Sequence, residues 1–225
     1  MVDAGLLPLL CWLSPSFPIG AYAYSHGLEW AVEAGDVRDE SSLQSWLVVL
    51  IADGVGRNDA ILLCEAYRAA AARDTGCLRE VNELALALPV GAELRLETAQ
   101  QGRSFLDAVS AAWPAHGLVE LAAELDEVAL PVALGIAAAA HRIPLDATVG
   151  AYLTAILQNL LSAAVRLAPI GQTAGQRVLA RSVPLCRQVA DEALRQSLDD
   201  IGGATFRADL GSLRHETQYT RLFRS

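Results

Sequence analysis

The side chains best suited to nucleophilic or metal chemistry in this 225-residue chain are four histidines (His26, His116, His141, His215) and four cysteines (Cys11, Cys64, Cys77, Cys186). Their spacing argues against both uses. A structural or catalytic metal needs ligands gathered at short, regular intervals, and the sequence has no CxxC, HxH, HxxxH or ExxH arrangement. A hydrolytic nucleophile needs an activating base within hydrogen-bond reach. Ser25 and His26 are adjacent, which on a helix points their side chains apart, so they do not read as a dyad. A phosphate-cradling loop needs glycines followed by lysine. Gly171-Gln-Thr-Ala-Gly-Gln176 has the glycines, but the chain contains no lysine at all. That segment reads instead as a tight helix start with Gln172 and Gln176 on one face.

Composition narrows the remaining classes. Hydrophobic residues make up 53% of the chain, enough for a sizeable core in one domain. The net charge of −9, with every cation an arginine, disfavours sequence-independent binding to nucleic acid. Scattered single cysteines fit small buried hydrophobes in a reducing compartment. The amino terminus shows no basic region followed by a cleavable apolar stretch, so no secretory signal is expected. Thr148 to Val165 is uncharged for 18 residues and approaches the length of a membrane span, but Gln158, Asn159 and Ser162 interrupt it. A buried helix suits it better.

The elements that would carry these residues are helical throughout. Leu43, Trp46, Leu47, Leu50 and Ile51 follow helical spacing without error, and Asp39, Ser41 or Ser42 can cap that helix. Further helices are expected over about 5–13, 24–34, 58–73, 77–87 and 91–112. Residues 118–140 should be helical with a kink or break at Pro131 and Gly135, followed by 146–168, capped by Asp146, and 172–198, with a bend at Pro184. Ser25, Glu29 and Glu33 would form a polar stripe on the second of these helices. No sustained two-residue alternation or hairpin turn signals a strand. The fold class is therefore all-α, a single-domain bundle of about ten helices over residues 1–201, followed by a tail at 202–225 with Gly202-Gly203 as linker.

Two stretches carry more aromatic and charged specification than a bundle requires. Ser14-Pro-Ser-Phe-Pro-Ile-Gly-Ala-Tyr-Ala-Tyr-Ser-His-Gly-Leu-Glu-Trp30 is stiffened by Pro15 and Pro18 and holds Phe17, Tyr22, Tyr24 and Glu29. It reads either as a plug that closes the bundle or as a recognition surface. The tail is locally basic on an acidic protein, with Arg207, Arg214, His215, Arg221 and Arg224 against Asp209 and Glu216. Phe206, Tyr219, Leu222 and Phe223 suggest a segment that orders when it docks, on its own body or on a partner.

The first stretch closely resembles the amino-terminal signature of the urease accessory protein UreF family. Pro169-Ile-Gly-Gln-Thr-Ala-Gly-Gln176 is similar to that family's second signature, and Arg221-Leu-Phe-Arg-Ser225 to its third. The three lie in family order across nearly the whole chain, while about 75–140 matches in helical character more than in motif. The resemblance implies an all-α homodimer that is not an enzyme and holds no tightly bound cofactor. It would act in the cytoplasm, with no nucleic-acid or membrane partner. Its expected partners are the accessory protein UreD (UreH), the GTPase UreG and apo-urease. It would couple GTP hydrolysis to installing nickel, which would only transit. Site roles carry over to Tyr22, Glu29, Arg166 and Arg221, with Gln172, Gln176, Tyr219, Leu222 and Phe223 as further partner-binding positions. Ordering of the tail is expected to bring Arg221 against Tyr22 and to leave Tyr22 and Glu29 facing a partner. The rival readings are a helical enzyme with a hydrophobic pocket, which would need acidic metal motifs, a membrane-associated protein built on 148–165, and a helical ligand-binding regulator. Asp199-Asp200 is the chain's candidate for the first, and no basic DNA-reading helix supports the last.

Overall fold

The computed structural model describes residues 6–167 and 170–225. Ala168 and Pro169, the latter opening the second signature, lie outside the described residues. Eleven α-helices and two short 3₁₀ turns account for the regular structure among them, with no strand. The order is α1 (Leu6–Trp12), a 3₁₀ turn (Ala21–Ala23), α2 (Leu28–Glu33), α3 (Glu40–Ala52), α4 (Val55–Ala72), α5 (Thr75–Ala87), α6 (Ala92–Ala112), α7 (Leu118–Ala122), α8 (Leu130–Ala140), α9 (Leu145–Arg166), α10 (Gln172–Ala193), a second 3₁₀ turn (Leu198–Asp200) and α11 (Phe206–His215).

The bundle is built around α8. Its sequence, Leu-Pro-Val-Ala-Leu-Gly-Ile-Ala-Ala-Ala-Ala, is apolar on every side, and Pro131 to Ala138 are all buried. A helix with no polar face must be surrounded, and α4, α6 and α9 pack about it. Small residues set the spacing. A Cβ at Gly102 of α6 would sit 2.1 Å from the Val128 carbonyl oxygen, so α6 reaches this distance only because position 102 is glycine. Helix α9 is 22 residues long and apolar enough to cross a membrane by length and composition, yet half of its most apolar window is buried inside the protein. It packs on α10, α4 and α8 as a core helix.

Local chemistry explains where the helices start and stop. Asp39 caps α3 by accepting from the Ser42 N–H at 2.8 Å, and the Ser42 hydroxyl accepts from the Asp39 N–H in return. Asp74 caps α5 in the same way, through the Cys77 N–H. Asp146 does not cap α9 but lies in its first turn, two residues inside the cap at Pro144, where its charge suits the positive helix end. Residues 118–140 divide into two helices. Pro131 opens α8 instead of kinking it, because proline's missing N–H costs nothing in a first turn. Pro184 lies inside α10, which ends at Ala193 rather than near 198.

Two departures matter for the site. The helix expected from Tyr24 begins only at Leu28, because His26 (φ 52°) and Gly27 (φ 72°) take left-handed conformations ahead of it. Ser25 is therefore not part of a helical stripe with Glu29 and Glu33. The tail also contains a ten-residue helix, α11, before its irregular last ten residues. Gly202-Gly203 is not loose. The Gly202 N–H donates to Asn58, its carbonyl accepts from Arg57, and the Ala204 N–H donates to the Asp53 carbonyl.

Candidate functional site

Helix α11 lies across α2, where both backbones are stripped of side chains at the crossing. A Cβ on Gly27 would meet the Ser212 nitrogen at 2.8 Å, and one on Gly211 would meet the Trp30 ring at 3.0 Å. Arg207 secures the outer edge by pairing with Asp36 at 2.7 Å and stacking over Trp30, 4.7 Å from the ring centroid. This crossing delivers the tail onto a row of carboxylates.

Three glutamates receive it. Glu29 is buried on α2. Its two oxygens accept the Leu222 N–H at 2.7 Å and the Phe223 N–H at 2.9 Å. Glu93 of α6 accepts Arg221 Nη1 at 2.6 Å. Glu97, one turn further along α6, accepts the Ser225 hydroxyl at 2.7 Å. His215, with no exposed surface, fills the space between: Nδ1 lies 2.7 Å from Glu93 and Nε2 3.2 Å from Glu29. The two glutamates flank opposite nitrogens of the ring, so they brace it and do not converge on a point where an ion could sit. Ser25 completes the seam. Its N–H donates to the Ser225 backbone oxygen at 2.8 Å, its hydroxyl donates to the same oxygen, and the Arg224 N–H donates to Ala23.

Hydrogen bonds to a carboxylate are about twice as strong as neutral ones. A segment of five residues secured by three carboxylates is thus a specified structure. The basic tail meets an acidic cradle, so the local charge inversion noted in the sequence has an internal partner.

The sequence-derived positions sort into three groups. Glu29, Arg221, Leu222 and Phe223 come together, but not as expected. Arg221 engages Glu93 rather than Tyr22, and Glu29 is only 7% exposed and faces the tail instead of outward. Arg166 is the residue that reaches Tyr22. Its Nη2 donates to the Tyr22 carbonyl oxygen while its guanidinium lies 4.2 Å from the centroid of the buried Phe223 ring. Tyr22 (67% exposed), Tyr219 (fully exposed) and Leu222 (63%) present apolar surface outward from this seam. Gln172 and Gln176 form the third group. Both are exposed in the first turns of α10 and make no side-chain hydrogen bond with the cradle.

Sequence reasoning assigned no site role to Glu93, Glu97 or His215. Glu93 and Glu97 could have been found: each sits on the polar face of an otherwise core-facing helix, four residues apart. Among the described residues, no three His, Cys, Asp or Glu side chains are arranged to hold a metal ion.

The UreF family model matches residues 37–183. The chain is 67% identical to the urease accessory protein UreF of Xanthobacter autotrophicus over 98% of this chain and 91% of that protein. It is 63% identical to its counterpart in Azorhizobium caulinodans, covering 97% and 95% of the two chains. With the Methylorubrum populi protein of the same name it shares 55% identity over the full length of both. The chain belongs to the urease accessory protein UreF family. Its partners are to be sought among the components of urease maturation.

Proposed function

We propose that this UreF protein is a scaffold that bridges UreD (UreH) and the GTPase UreG on apo-urease, and that it couples GTP hydrolysis to nickel delivery without itself being an enzyme. The single observation that carries this reading is the ordered tail, which leaves Tyr219 and Leu222 exposed while turning its polar groups inward to Glu29, Glu93 and Glu97. An exposed aromatic residue and leucine on a pre-ordered backbone suit a protein partner, because little ordering entropy remains to be lost on binding. In this reading Arg221 and Glu29 act indirectly, by holding the tail. Arg166 ties the tail to the Tyr22 loop, and Gln172 and Gln176 extend the outer face. Residues 1–201 would be the body and 202–225 the partner-docking segment of a homodimer working in the cytoplasm. Nickel would be cargo that transits.

The test is co-purification of the full chain with UreD and UreG, with nickel-dependent urease activity as readout. Tyr219→Ala with Leu222→Asp should reduce partner capture at least tenfold and leave the melting temperature of the helical body unchanged, since both side chains are mostly exposed. Full capture by this variant would refute the docking role of the tail.

A further inference from the structure

The docking reading leaves unused an open pocket of about 390 Å³ beside the Tyr22 loop. Its wall combines that loop with Gln100, Arg103 and Ser104 of α6 and Arg224 of the tail. None of the described residues lining it is an aspartate or glutamate, although the chain carries a net charge of −9. The acceptors in the wall are already engaged. The Gly20 carbonyl accepts the Ala23 N–H, the Ala21 carbonyl accepts the Tyr24 N–H and Asn159, the Tyr22 carbonyl accepts Arg166, and the Ala23 carbonyl accepts the Arg224 N–H. Tyr24 is 4% exposed and donates its hydroxyl to Gln100 Oε1 at 2.8 Å. Burial pushes the Tyr24 phenol up, and Arg224 beside its hydroxyl pulls it back. A guanidinium can only donate, so the phenol's own proton goes to the Gln100 oxygen, and the Gln100 N–H₂ is left for another partner.

What faces the pocket is therefore a set of donors. Arg224 forms no ion pair with a carboxylate among the described residues, and Tyr24 occupies only part of its five-donor fork. Arg103 pairs with Asp107 at 2.9 Å, but the two side chains are 54% and 59% exposed, so the pair contributes little and leaves the other guanidinium N–H groups available. The Ser104 hydroxyl adds a further donor. A cation would meet like charge here, and an apolar group would take water from donors without replacing it. A group with several acceptor oxygens and negative charge satisfies the whole set.

We propose that this pocket is an oxyanion site that takes a carboxylate or phosphate group, with Arg224 as its principal ligand and Arg103, the Gln100 amide and Ser104 completing the donor set. The group comes from a small free anion or from an acidic side chain of a protein partner, and the open mouth beside the exposed Tyr22 admits either. The docked tail assembles the site, because Arg224 is placed in the wall by its own N–H, which holds the Ala23 carbonyl at 2.8 Å. Anion binding and tail docking therefore strengthen each other. A ligand at ten times its dissociation constant shifts the docking equilibrium about tenfold. Anion binding is a property of the chain alone and stands apart from the docking reading.

The experiment titrates the full chain with inorganic phosphate and, separately, with acetate, at constant ionic strength set by sodium chloride. The Arg103 and Arg224 Nε–H signals are followed by NMR, and the Leu222 and Phe223 amides by hydrogen exchange. Both arginine signals should shift saturably, and tail exchange should slow about tenfold at ten times the dissociation constant. Arg224→Gln, which keeps the backbone bond to Ala23, should weaken phosphate about tenfold. Arg187→Gln, which removes an exposed arginine outside the pocket, should leave binding unchanged. Capture of UreD and UreG by Arg224→Gln then separates the sources. Reduced capture, with phosphate competing in the parent chain, identifies an acidic partner side chain; unchanged capture identifies a free anion. Absence of a saturable shift through the millimolar range, or equal weakening by Arg187→Gln, would mean an adventitious ion only and would overturn the site.

Discussion

Glu29→Ala tests the cradle most directly. The carboxylate accepts two backbone N–H groups and faces His215 Nε2 from a buried position. A hydrogen bond to a charged group contributes about 1.5–3 kcal/mol. Alanine removes both backbone bonds and leaves the Phe223 N–H and the Nε2 side of the His215 ring without a partner in the interior, while Nδ1 keeps Glu93. Taking the lower figure for each bond gives a loss of about 3 kcal/mol in tail docking, more than a hundredfold in the equilibrium. The loss should be local. The partners of the Glu29 carboxylate, the Leu222 and Phe223 N–H groups and the His215 ring, all belong to α11 and the tail. Hydrogen exchange resolved by segment is the assay. Peptides covering 216–225 should exchange at least tenfold faster, while those from α4, α8 and α9 keep their protection. Glu29→Gln should fall between, since the amide keeps one acceptor oxygen and presents an N–H₂ to the other donor. If exchange at Leu222 and Phe223 is unchanged in Glu29→Ala, the tail is held by its side chains alone and the cradle argument fails.

Other outcomes follow from the interior. Gly102→Ala forces a methyl group to 2.1 Å from the Val128 oxygen, so α6 must move off the α7–α8 connection, at a cost of about 1–3 kcal/mol or more, read as a lowered melting temperature. Asp59 has its pKa pushed up to about 6 by burial, against the pull of the Tyr152 hydrogen bond and the His26 charge. Its contribution to stability is complete below the unfolded carboxylate value and is lost as pH rises through about 6. Asp59→Asn should therefore gain about 2–3 kcal/mol relative to the parent at pH 8 and little at pH 4, measured by urea unfolding. Burial pushes the Cys64 and Cys186 thiols up to about 11. Both should resist maleimide at neutral pH while the exposed Cys11 reacts, counted by mass spectrometry.

Much of the fold was legible because helical periodicity and capping chemistry are local. Leu43 to Ile51 announced α3, and Asp39 its cap. Pro131 was misleading for an equally local reason: proline breaks a helix from within but starts one well, and only the packing around α8 decides which applies. The Tyr24–Leu28 entry into α2 was not legible, since a left-handed histidine before a left-handed glycine follows from the close crossing with α11. The cradle was half legible. Its tail side stood out by composition, whereas its body side, Glu93 and Glu97, lies more than 100 residues away in sequence and shows on α6 only as an ordinary polar stripe.

The geometry also changes what a substitution at Glu29 would mean. A glutamate that met a partner directly would add its loss to that of Tyr219 or Leu222, since separate contacts contribute separately. A buried glutamate that positions the tail behaves differently. Once Glu29→Ala has freed the tail, Tyr219 and Leu222 no longer occupy the place proposed to meet a partner, and removing them as well should cost little more. The double-mutant cycle between Glu29→Ala and Leu222→Asp, read as UreD capture, should therefore be strongly non-additive, the double variant being no more than about threefold weaker than Glu29→Ala alone. Additive losses would mean that Glu29 meets the partner after leaving its buried place, and that the bonds to Leu222 and Phe223 are not what the partner reads.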